Sequence, residues 1–521
     1  MKTKQLLLTF FSLLVAFSIS ASVTVLPTNP NVQYIGRFNK TNPLAPIMTW
    51  TGTAIRINFQ GTSLQAKLSS WGTTYDNITI DGVTTMLTLQ SSGSSVTYPL
   101  CSGLSDGIHT ATIFKRDQPW QPQTFYGFVL DDGKTLVAPP DRKVRKIEFY
   151  GDSQTQGAQV EVPGNGADMT SGNYDNNYYS YAAITARALN AEYTCVARNG
   201  ATLTPITGRQ NIPDVYDRVG IDNTTPIWDF SWIGDVICVD LGVNDSPFPA
   251  DFTARYVTFV QKIRANHPNA YIFLLAGPLW NSDALKNAIQ ATATTFNTAG
   301  DSKVYYYAFS TPITHSGHPR TAENVACAKE LVTKIKSVIW SETLANLSVE
   351  DVYITPIPTS LTVGGTEQLV ATVSPFDAVD KVVSWSSSNE SVLKVSSTGL
   401  VTAIGGGTAT ITATSHGGNK AFSVSITASS PNGLLSPNDK KVSILLFPNP
   451  LVGGILNINS TGLIGEKTLS IMDITGKLAF SKKLENSELQ AVNLSNANLK
   501  GSYIARISNA EFSISQLLLI Q

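Results

Sequence analysis

The sequence predicts a multidomain protein in which a β-sandwich precedes an α/β domain with a parallel sheet, and two all-β sandwich domains follow. Its 521 residues suffice for three or four separate hydrophobic cores. Residues 22–142 and the chain after residue 345 contain short alternating apolar runs and turn residues without a helical period. From residue 143 to residue 343, buried apolar runs alternate with helical segments, which is typical of a doubly wound sheet.

The first residues have the features of a secretory signal peptide over 1–21. Lys2 and Lys4 precede the apolar run Leu6–Phe17, and small residues follow that run. The net charge of −1 argues against a general electrostatic interaction with nucleic acid, and the low charged fraction of 14% suits an extracellular protein. No later segment is long and apolar enough to span a bilayer, so we expect a soluble, exported chain.

In the first β-sandwich, residues 77–89 predict a hairpin. The strand Asn77–Ile80 leads into Asp81-Gly82, a dipeptide suited to the left-handed conformations of a two-residue turn, and then into Val83–Leu89. Further strands in this region are predicted at Ile55–Phe59, Leu64–Leu68 and Thr110–Phe114.

The α/β domain is predicted to contain five parallel strands and four helices. The strands are Ile147–Tyr150, Tyr193–Ala197, Val236–Leu241, Tyr271–Ala276 and Val304–Phe309. The helices are Tyr178–Leu189, Asp251–Ala265, Asp283–Phe296 and Ala322–Ile339. Cys195 and Cys238 lie on strands predicted to flank a third strand, so their Cα atoms would be roughly 9–10 Å apart, which is too far for a disulfide. We therefore expect these two cysteines, with Cys101 and Cys327, to be free thiols.

Four short segments that could carry acyl-transfer chemistry follow strands of this predicted sheet. They are Gly151-Asp152-Ser153, Arg198-Asn199-Gly200-Ala201, Gly242-Val243-Asn244-Asp245 and His318-Pro319. The carboxyl ends of parallel strands meet at one edge of a sheet, so we expect these segments to converge. Ser153 would be the nucleophile and His318 its base. The backbone N–H groups of Ser153 and Gly200 and the side-chain amide of Asn244 would form the oxyanion hole.

These four segments resemble the four sequence blocks of the SGNH (GDSL) hydrolases, in the same order. The first sandwich resembles the jelly-roll domain that precedes the hydrolase domain in carbohydrate esterase family 2. The segments that carry this second resemblance are Ile35-Gly36-Arg37-Phe38, Trp50-x-Gly52, His109-Thr110, Lys115-Arg116 and Phe128–Gly133. The resemblance implies a flavodoxin-like α/β hydrolase over 143–343 that removes O-acetyl groups from plant polysaccharides such as acetylated xylan or mannan, without a cofactor.

The sequence departs from the SGNH pattern next to the candidate base. Members of that class usually carry an aspartate three residues before the histidine, and this chain has His315 at that position, followed by Ser316-Gly317. This departure resembles family 2 esterases, in which a Ser–His dyad can suffice and a backbone carbonyl, instead of a carboxylate, orients the histidine. We therefore expect a dyad of Ser153 and His318. A carboxylate bonded to the imidazole nitrogen that faces away from Ser153 would refute this expectation.

Other residues near the predicted site have both a functional and a structural interpretation. Trp280 is either a platform for sugar rings or a core residue, and Arg198 either binds a substrate hydroxyl or pairs with a surface carboxylate. Asp152 is expected to shape the turn by accepting backbone hydrogen bonds. His315 and His318 have a spacing that could suggest a metal, but no further ligand has suitable spacing, so none is expected.

Three further histidines are interpreted as structural. His267 is expected to be a solvated loop residue after a helix, and His109 and His416 belong to the β-domains.

The C-terminal half contains two further resemblances. Residues 348–428 resemble a bacterial Ig-like domain of group 2, which implies a spacer or a weak binder. The segments that carry this resemblance are Ile357–Leu361, Trp385–Ser388, Gly399–Ala403 and Gly407–Ile411. After the linker 429–440, residues 441–521 resemble the sorting domain of the type IX secretion system. The segments here are Phe447-Pro448-Asn449-Pro450, Asp473–Lys477 and Gly501–Ile504.

The resemblances together predict a secreted or cell-surface carbohydrate esterase. We expect a monomeric enzyme whose partners are its polysaccharide substrate and the type IX secretion machinery. Two alternatives remain open from the sequence. One is an SGNH lipase or esterase for other acyl groups, which would need an extended apolar groove. The other is a polysaccharide-binding surface protein with an idle site, which the presence of Ser153, Asn244 and His318 disfavours.

Overall fold

The computed structural model describes most of the chain. The described residues are 22–163, 166–169, 171–279, 282–341, 349–376, 378, 380–416, 420–429, 444–460, 465–473, 475–487, 489–509 and 513–521. The predicted signal peptide, residues 1–21, and nearly all of the predicted linker lie outside them.

The N-terminal domain is a sandwich of two antiparallel six-stranded sheets. One sheet has the order β3-β4-β11-β6-β9, with β1 on β11, and the other has the order β12-β5-β10-β7-β8, with β2 on β5. The strands are β1 (Val23–Val25), β2 (Gln33–Ile35), β3 (Phe38–Asn39), β4 (Ile47–Met48), β5 (Ala54–Gly61), β6 (Leu64–Ser70), β7 (Thr74–Ile80), β8 (Val83–Leu89), β9 (Val96–Cys101), β10 (Gly107–Lys115), β11 (Gln123–Leu130) and β12 (Leu136–Val137).

Alternating apolar residues of this domain form its core. Ile55, Ile57 and Phe59 on β5 are fully buried and pack with Phe125 and Phe128 of the facing sheet. The predicted hairpin is confirmed: β7 and β8 pair around Asp81 (φ 48°) and Gly82 (φ 90°), the left-handed conformations that a tight two-residue turn needs.

The middle domain is a five-stranded, fully parallel sheet with the order β14-β13-β15-β16-β17. Its strands are β13 (Arg145–Gly151), β14 (Ala191–Ala197), β15 (Val236–Asp240), β16 (Tyr271–Ala276) and β17 (Val304–Ala308). Its helices are α1 (Ser153–Gln156), α2 (Tyr181–Ala188), α3 (Phe252–Asn266), α4 (Asp283–Thr298) and α5 (Thr321–Lys336). Helices α2 and α5 pack on one face, and α3 and α4 pack on the other. The predicted α/β class is therefore confirmed.

The register of this sheet confirms that Cys195 and Cys238 lie on strands separated by a third strand. Phe149 on the central strand pairs with Cys195 of β14 on one side and with Cys238 of β15 on the other. The two cysteines thus flank a strand as expected, and all four cysteines are free thiols.

Two all-β domains complete the fold. The first has the pair β18-β21 and sheets of order β19-β26-β25-β22 and β20-β24-β23, and the second has sheets of order β27-β28-β31 and β30-β29-β32-β33. The strands of the first are β18 (Asp351–Thr355), β19 (Ser360–Thr362), β20 (Thr366–Gln368), β21 (Val370–Ser374), β22 (Val383–Ser387), β23 (Leu393–Val395), β24 (Leu400–Ala403), β25 (Gly407–Ser415) and β26 (Ala421–Ser429). The strands of the second are β27 (Leu445–Phe447), β28 (Ile455–Asn459), β29 (Lys467–Asp473), β30 (Leu478–Leu484), β31 (Leu489–Asn493), β32 (Gly501–Ser508) and β33 (Ser513–Ile520).

A buried polar cluster joins the N-terminal and middle domains. Arg37 donates through Nη2 to Glu148 Oε1 at 2.7 Å and to the Tyr150 hydroxyl at 3.0 Å, and His267 Nε2 lies 3.2 Å from Glu148 Oε2. The expectation for His267 was therefore wrong. This residue is fully buried, and the carboxylate of Glu148 on β13 is its polar partner.

The described helices include none whose length and apolar character would let it cross a bilayer.

Candidate active site

The Ser153 turn lies at the carboxyl end of the central strand. Strand β13 ends at Gly151, and α1 begins at Ser153. Asp152 caps the helix by accepting a hydrogen bond from the Gln154 backbone N–H at 3.0 Å. A Cβ atom on Gly151 would lie 2.1 Å from Thr155 Oγ1, so the tight turn requires glycine there. Ser153 is therefore held at the carboxyl edge of the sheet, with 4% of its surface exposed.

The interpretation of Asp152 as a turn residue is confirmed by this cap. Its carboxyl group is fully buried, and burial together with the nearby Asp240 raises the pKa of Asp152 well above its usual value. Burial likewise raises the pKa of Asp240 to about 6, although the Tyr181 hydroxyl donates to that carboxylate at 2.8 Å. The two carboxyl groups are thus a buried, interacting pair next to the turn.

His318 has a carboxylate partner, which corrects the expectation of a dyad. Its Nδ1 atom lies 2.6 Å from Oδ2 of Asp168, and its backbone N–H donates to Asp168 Oδ1 at 3.0 Å. Asp168 belongs to the loop after α1 and lies 150 positions before the histidine. The loop brings a carboxylate to the imidazole from a distant part of the chain, so the missing aspartate at position 315 does not leave His318 without one.

Arg320 holds Asp168 in place. Its guanidinium donates to Asp168 Oδ1 at 2.9 Å, to the Gly166 carbonyl at 2.8 Å and to the Gln159 carbonyl at 3.1 Å. Burial would raise the pKa of Asp168, but the hydrogen bonds from Arg320 and from His318 outweigh it and lower that pKa. Asp168 is therefore an ionised acceptor at neutral pH.

The segment that carries His318 packs against the segment that follows Ser153. The Thr321 backbone N–H and hydroxyl both donate to the Val160 carbonyl, at 3.0 and 3.1 Å. The coil after α1 is in turn closed by the Ala158 N–H bond to the Ser153 carbonyl at 2.9 Å. The candidate nucleophile and candidate base therefore lie on two segments that are bonded to each other.

His315 has a different environment. Its Nε2 lies 3.0 Å from Glu323 Oε2, and the same oxygen accepts the Arg320 backbone N–H at 2.7 Å. His315 thus helps to form the start of α5. His315 and His318 contact different carboxylates, and the described residues contain no cluster of three or more potential metal ligands.

The Gly200 loop lies beside the Ser153 turn. Gly200 has φ of +74°, a left-handed conformation that favours glycine. The Arg198 backbone N–H donates to the Gly151 carbonyl at 3.3 Å, and the Asn199 N–H donates to Gln156 Oε1 at 2.7 Å. These bonds fix the loop against the turn that carries the candidate nucleophile.

Asn244 extends into the same region from the end of β15. Its Nδ2 donates to the Ala201 carbonyl at 3.0 Å and lies 3.5 Å from Asp152 Oδ2. The amide is thus adjacent both to the residue before Ser153 and to the residue after Gly200. The contact with Asp152 is the longer of the two, and the oxyanion role of Asn244 stays a prediction.

Asp245 ties these two loops together. Its buried carboxylate accepts hydrogen bonds from the Leu203 N–H at 3.0 Å, the Thr204 N–H at 2.7 Å and the Thr204 hydroxyl at 2.6 Å. The Gly200 loop and the Asn244 segment therefore keep a fixed spacing, as pre-aimed oxyanion donors require.

Of the two predicted substrate-binding residues, Arg198 and Trp280, the structure describes only Arg198. Arg198 lies next to the site, bonded through Nη1 to Gln210 Oε1 at 3.2 Å, and its Cζ lies 5.1 Å from the ring centre of Trp120. Among the residues that the structure describes, neither of these contacts of Arg198 is with a carboxylate, and substrate binding by Arg198 stays a prediction. Trp280 lies outside the described residues.

Asp168, Arg320 and Trp120 are neighbours of the site that the sequence prediction missed. No spacing rule connects Asp168 or Trp120 with the histidine, because one comes from a loop 150 positions away and the other from a different domain. Arg320 stands only two residues after the candidate base in the sequence, but its need for a carboxylate follows from its burial in the structure.

A serine at a strand-to-helix turn, a carboxylate-bonded histidine and two loops of hydrogen-bond donors define a serine hydrolase of the α/β class. Comparison with protein families agrees. Residues 149–334 match the GDSL-like lipase/acylhydrolase family, and residues 34–140 match the N-terminal domain of carbohydrate esterase 2. The chain belongs to family two of the carbohydrate esterases.

Individual relatives support this assignment. A solved family two carbohydrate esterase from Clostridium thermocellum, in complex with cellohexaose, is 31% identical, with a TM-score of 0.55 over 59% of this chain and 99% of that one. The cellulase/esterase CelE of Acetivibrio thermocellus is 34% identical over 327 residues, 59% of this chain, and the match spans 40% of CelE. An acetylxylan esterase / glucomannan deacetylase of Cellvibrio japonicus is 26% identical over 62% of this chain and 92% of its own length.

The C-terminal regions also match known families. Residues 348–426 match the bacterial Ig-like domain of group 2, and residues 445–521 match a secretion system C-terminal sorting domain. The second match indicates export to the cell surface or the extracellular space, as the sequence predicted.

Proposed function

We propose that this esterase removes O-acetyl groups from plant polysaccharides, with Ser153 as nucleophile, His318 as general base and Asp168 as the group that orients His318. The observation that carries the proposal is the 2.6 Å contact between His318 Nδ1 and Asp168 Oδ2. The segment that carries His318 is bonded through Thr321 to Val160 in the coil that follows Ser153. A carboxylate beside Nδ1 holds the imidazole in the tautomer with the proton on Nδ1. In that tautomer Nε2 carries the lone pair that accepts the serine proton.

The proposed reaction proceeds through an acetyl-enzyme. Ser153 Oγ attacks the acetyl carbonyl while His318 Nε2 takes its proton, and the resulting imidazolium is stabilised by Asp168. The oxyanion accepts hydrogen bonds from the backbone N–H groups of Ser153 and Gly200 and from Asn244 Nδ2. His318 then gives the proton to the departing sugar hydroxyl. Water, deprotonated by His318, attacks the acetyl-enzyme, and the imidazolium returns the proton to Ser153 Oγ as acetate leaves.

The substrate class is supported by the relatives and by export. A relative named acetylxylan esterase / glucomannan deacetylase matches along 92% of its own length, so the whole catalytic unit is comparable. An exported enzyme meets polymers that cannot enter the cell. We therefore propose acetylated xylan and acetylated glucomannan as the substrates.

Acetate release from acetylated xylan, acetylated glucomannan and a series of p-nitrophenyl esters of increasing acyl length tests the proposal. The full chain should release acetate from at least one polymer and prefer the acetyl ester in the series. Ser153→Ala should abolish both activities. A preference for long acyl chains, or an active Ser153→Ala variant, would overturn the proposed function.

A further inference from the structure

Two exposed tryptophans lie on neighbouring loops of the N-terminal domain. Trp71, directly after β6, is 80% exposed, and Trp120, shortly before β11, is 39% exposed. The Trp71 backbone N–H donates to the Pro122 carbonyl at 3.3 Å, so the two loops are bonded to each other. Large rings placed together at the surface mark a binding site more often than single exposed residues do.

Trp120 connects this pair to the candidate active site. Its ring centre lies 5.1 Å from the guanidinium carbon of Arg198, and Arg198 is two residues before Gly200. The Arg198 backbone N–H donates to the carbonyl of Gly151, which precedes the Ser153 turn. The surface therefore continues from the Ser153 turn through Arg198 and Trp120 toward Trp71.

The loop that carries Trp120 is anchored to the catalytic domain. Gln118 Nε2 donates to Asp175 Oδ2 at 2.6 Å. The Arg116 guanidinium donates to the carbonyls of Asp175 at 3.0 Å and Asn173 at 2.8 Å and forms an ion pair with Glu161. The position of Trp120 relative to Ser153 is thus fixed before any ligand binds, which lowers the entropy cost of binding.

We propose that Trp71, Trp120 and Arg198 form subsites for the sugar main chain of the polysaccharide, beyond the residue that carries the acetyl group. Indole faces pack against the apolar C–H faces of pyranose rings, and the N–H groups of a guanidinium such as that of Arg198 donate to sugar hydroxyls. The inference rests on the proposed function and deepens it. Through Trp71 and Trp120 the N-terminal domain takes part in substrate recognition, so that the enzyme distinguishes a polymer from a small ester.

The test compares Trp71→Ala and Trp120→Ala with the wild type on acetylated glucomannan and on p-nitrophenyl acetate. The small ester is too short to contact both rings, so the ratio of kcat/KM on polymer to kcat/KM on ester should fall about tenfold, mainly through a higher KM. Trp71→Phe and Trp120→Phe keep an aromatic face and should retain most of this ratio. Ile108→Ala, a change at a residue 63% exposed on β10 of the same domain, is the matched control and should leave the ratio unchanged.

A second measurement separates this inference from the proposed function. Ser153→Ala protein should bind unsubstituted glucomannan in an affinity gel, and adding Trp71→Ala or Trp120→Ala should weaken that binding by a similar factor. If wild-type protein releases no acetate from any polymer, the proposed function fails. The binding of glucomannan in the affinity gel then tests by itself whether Trp71 and Trp120 contact the glycan. Unchanged binding together with an unchanged ratio in both alanine variants would overturn the inference, since it would assign the exposed rings to something other than the glycan.

Discussion

The Nδ1 atom of His318 lies 2.6 Å from Oδ2 of Asp168, and Arg320 donates to the other oxygen of the same carboxylate at 2.9 Å. Two residues that flank Pro319 thus hold one aspartate from a distant loop. The contact fixes the orientation of the imidazole, while 30% of the Asp168 side chain remains exposed.

Asp168→Asn should lower kcat strongly while the protein stays folded. An asparagine can present its amide nitrogen to Nδ1, which favours the tautomer that cannot accept the serine proton, and a comparable change in a serine protease costs about 10⁴-fold in kcat. Because Asp168 is partly exposed, we expect a loss of about 10²–10⁴-fold, measured as kcat on p-nitrophenyl acetate. Asp106→Asn, at an exposed ion pair of the N-terminal domain, is the control. A wild-type kcat in Asp168→Asn would instead support a catalytic dyad of Ser153 and His318, without a role for Asp168.

Asn244→Ala tests the oxyanion role of the amide. If Nδ2 stabilises the tetrahedral intermediate, its loss should lower kcat by about 10²–10³-fold with little change in KM, because the bond strengthens only in the transition state. The Ala201 carbonyl also loses its 3.0 Å partner, so a melting curve must show that the fold is intact. A rise in KM with unchanged kcat would instead indicate that Asn244 binds the ground state.

Much of this site could be predicted from the sequence because its parts are local. The turn at Ser153 and the loops at Gly200 and Asn244 each follow a buried apolar strand, and strand order alone brings them to one edge. The strand prediction Tyr271–Ala276 matches β16, and the other four predicted strands of this sheet differ from the structure by two residues or fewer at each end.

The missed features depend on contacts between distant segments. Asp168 reaches His318 from a loop without periodic pattern, and Trp120 reaches Arg198 from another domain. His267 was misassigned because the adjacent Pro268 suggests a solvated loop, whereas its burial depends on Glu148. Local propensity contains no information about such partners.

Glu148→Gln should weaken the joint between the N-terminal and middle domains. Burial would raise the pKa of Glu148, but Arg37 and His267 outweigh it and lower that pKa to about 2. Because the pKa is lowered in the folded state, the stabilisation is present above pH 4.5, the usual pKa of glutamate, and is lost as the pH falls toward 2. The wild-type contribution is on the order of 3 kcal/mol.

Glutamine at this position leaves Arg37 buried without a counter-charge, so we expect a loss of about 3–5 kcal/mol at pH 7 and a flatter pH dependence between 4.5 and 2. Thermal melting from pH 7 to pH 2.5 measures both effects. Glu466→Gln, at a pair whose side chains are 83% and 89% exposed, is the control. Parallel pH profiles for wild type and Glu148→Gln would refute the role of this carboxylate.

Asp351→Ala should loosen the contact between the Ig-like domain and the catalytic domain. Asp351 Oδ2 lies 3.3 Å from Arg187 Nε, and the Tyr353 hydroxyl accepts from Arg187 Nη2 at 2.9 Å. The Tyr178 ring centre lies 3.7 Å from the same guanidinium. This packing makes the Ig-like domain a docked part of the enzyme, beyond the spacer that its family resemblance implies.

Removing the carboxylate leaves the Arg187 guanidinium buried without its charge partner, which costs about 3–5 kcal/mol at such sites. Limited proteolysis should then cut faster between the catalytic and Ig-like domains in Asp351→Ala than in the wild type. The exposed Glu390→Gln is the control in the same domain. Equal cleavage rates in all three proteins would show that this ion pair does not hold the two domains together.

Deleting residues 441–521 should separate export from catalysis. The last domain has its own core, built from residues of β27–β33 such as Leu456, Leu469 and Leu518, so its removal leaves the other cores complete. The match of residues 445–521 to a secretion sorting domain predicts that the shortened protein stays inside the cell. Acetyl esterase activity in lysates should equal that of the full chain, and activity in the medium should fall to the level of a Ser153→Ala strain. Full activity in the medium would contradict the sorting role, whereas inactive shortened protein would mean that the last domain supports the fold of the enzyme.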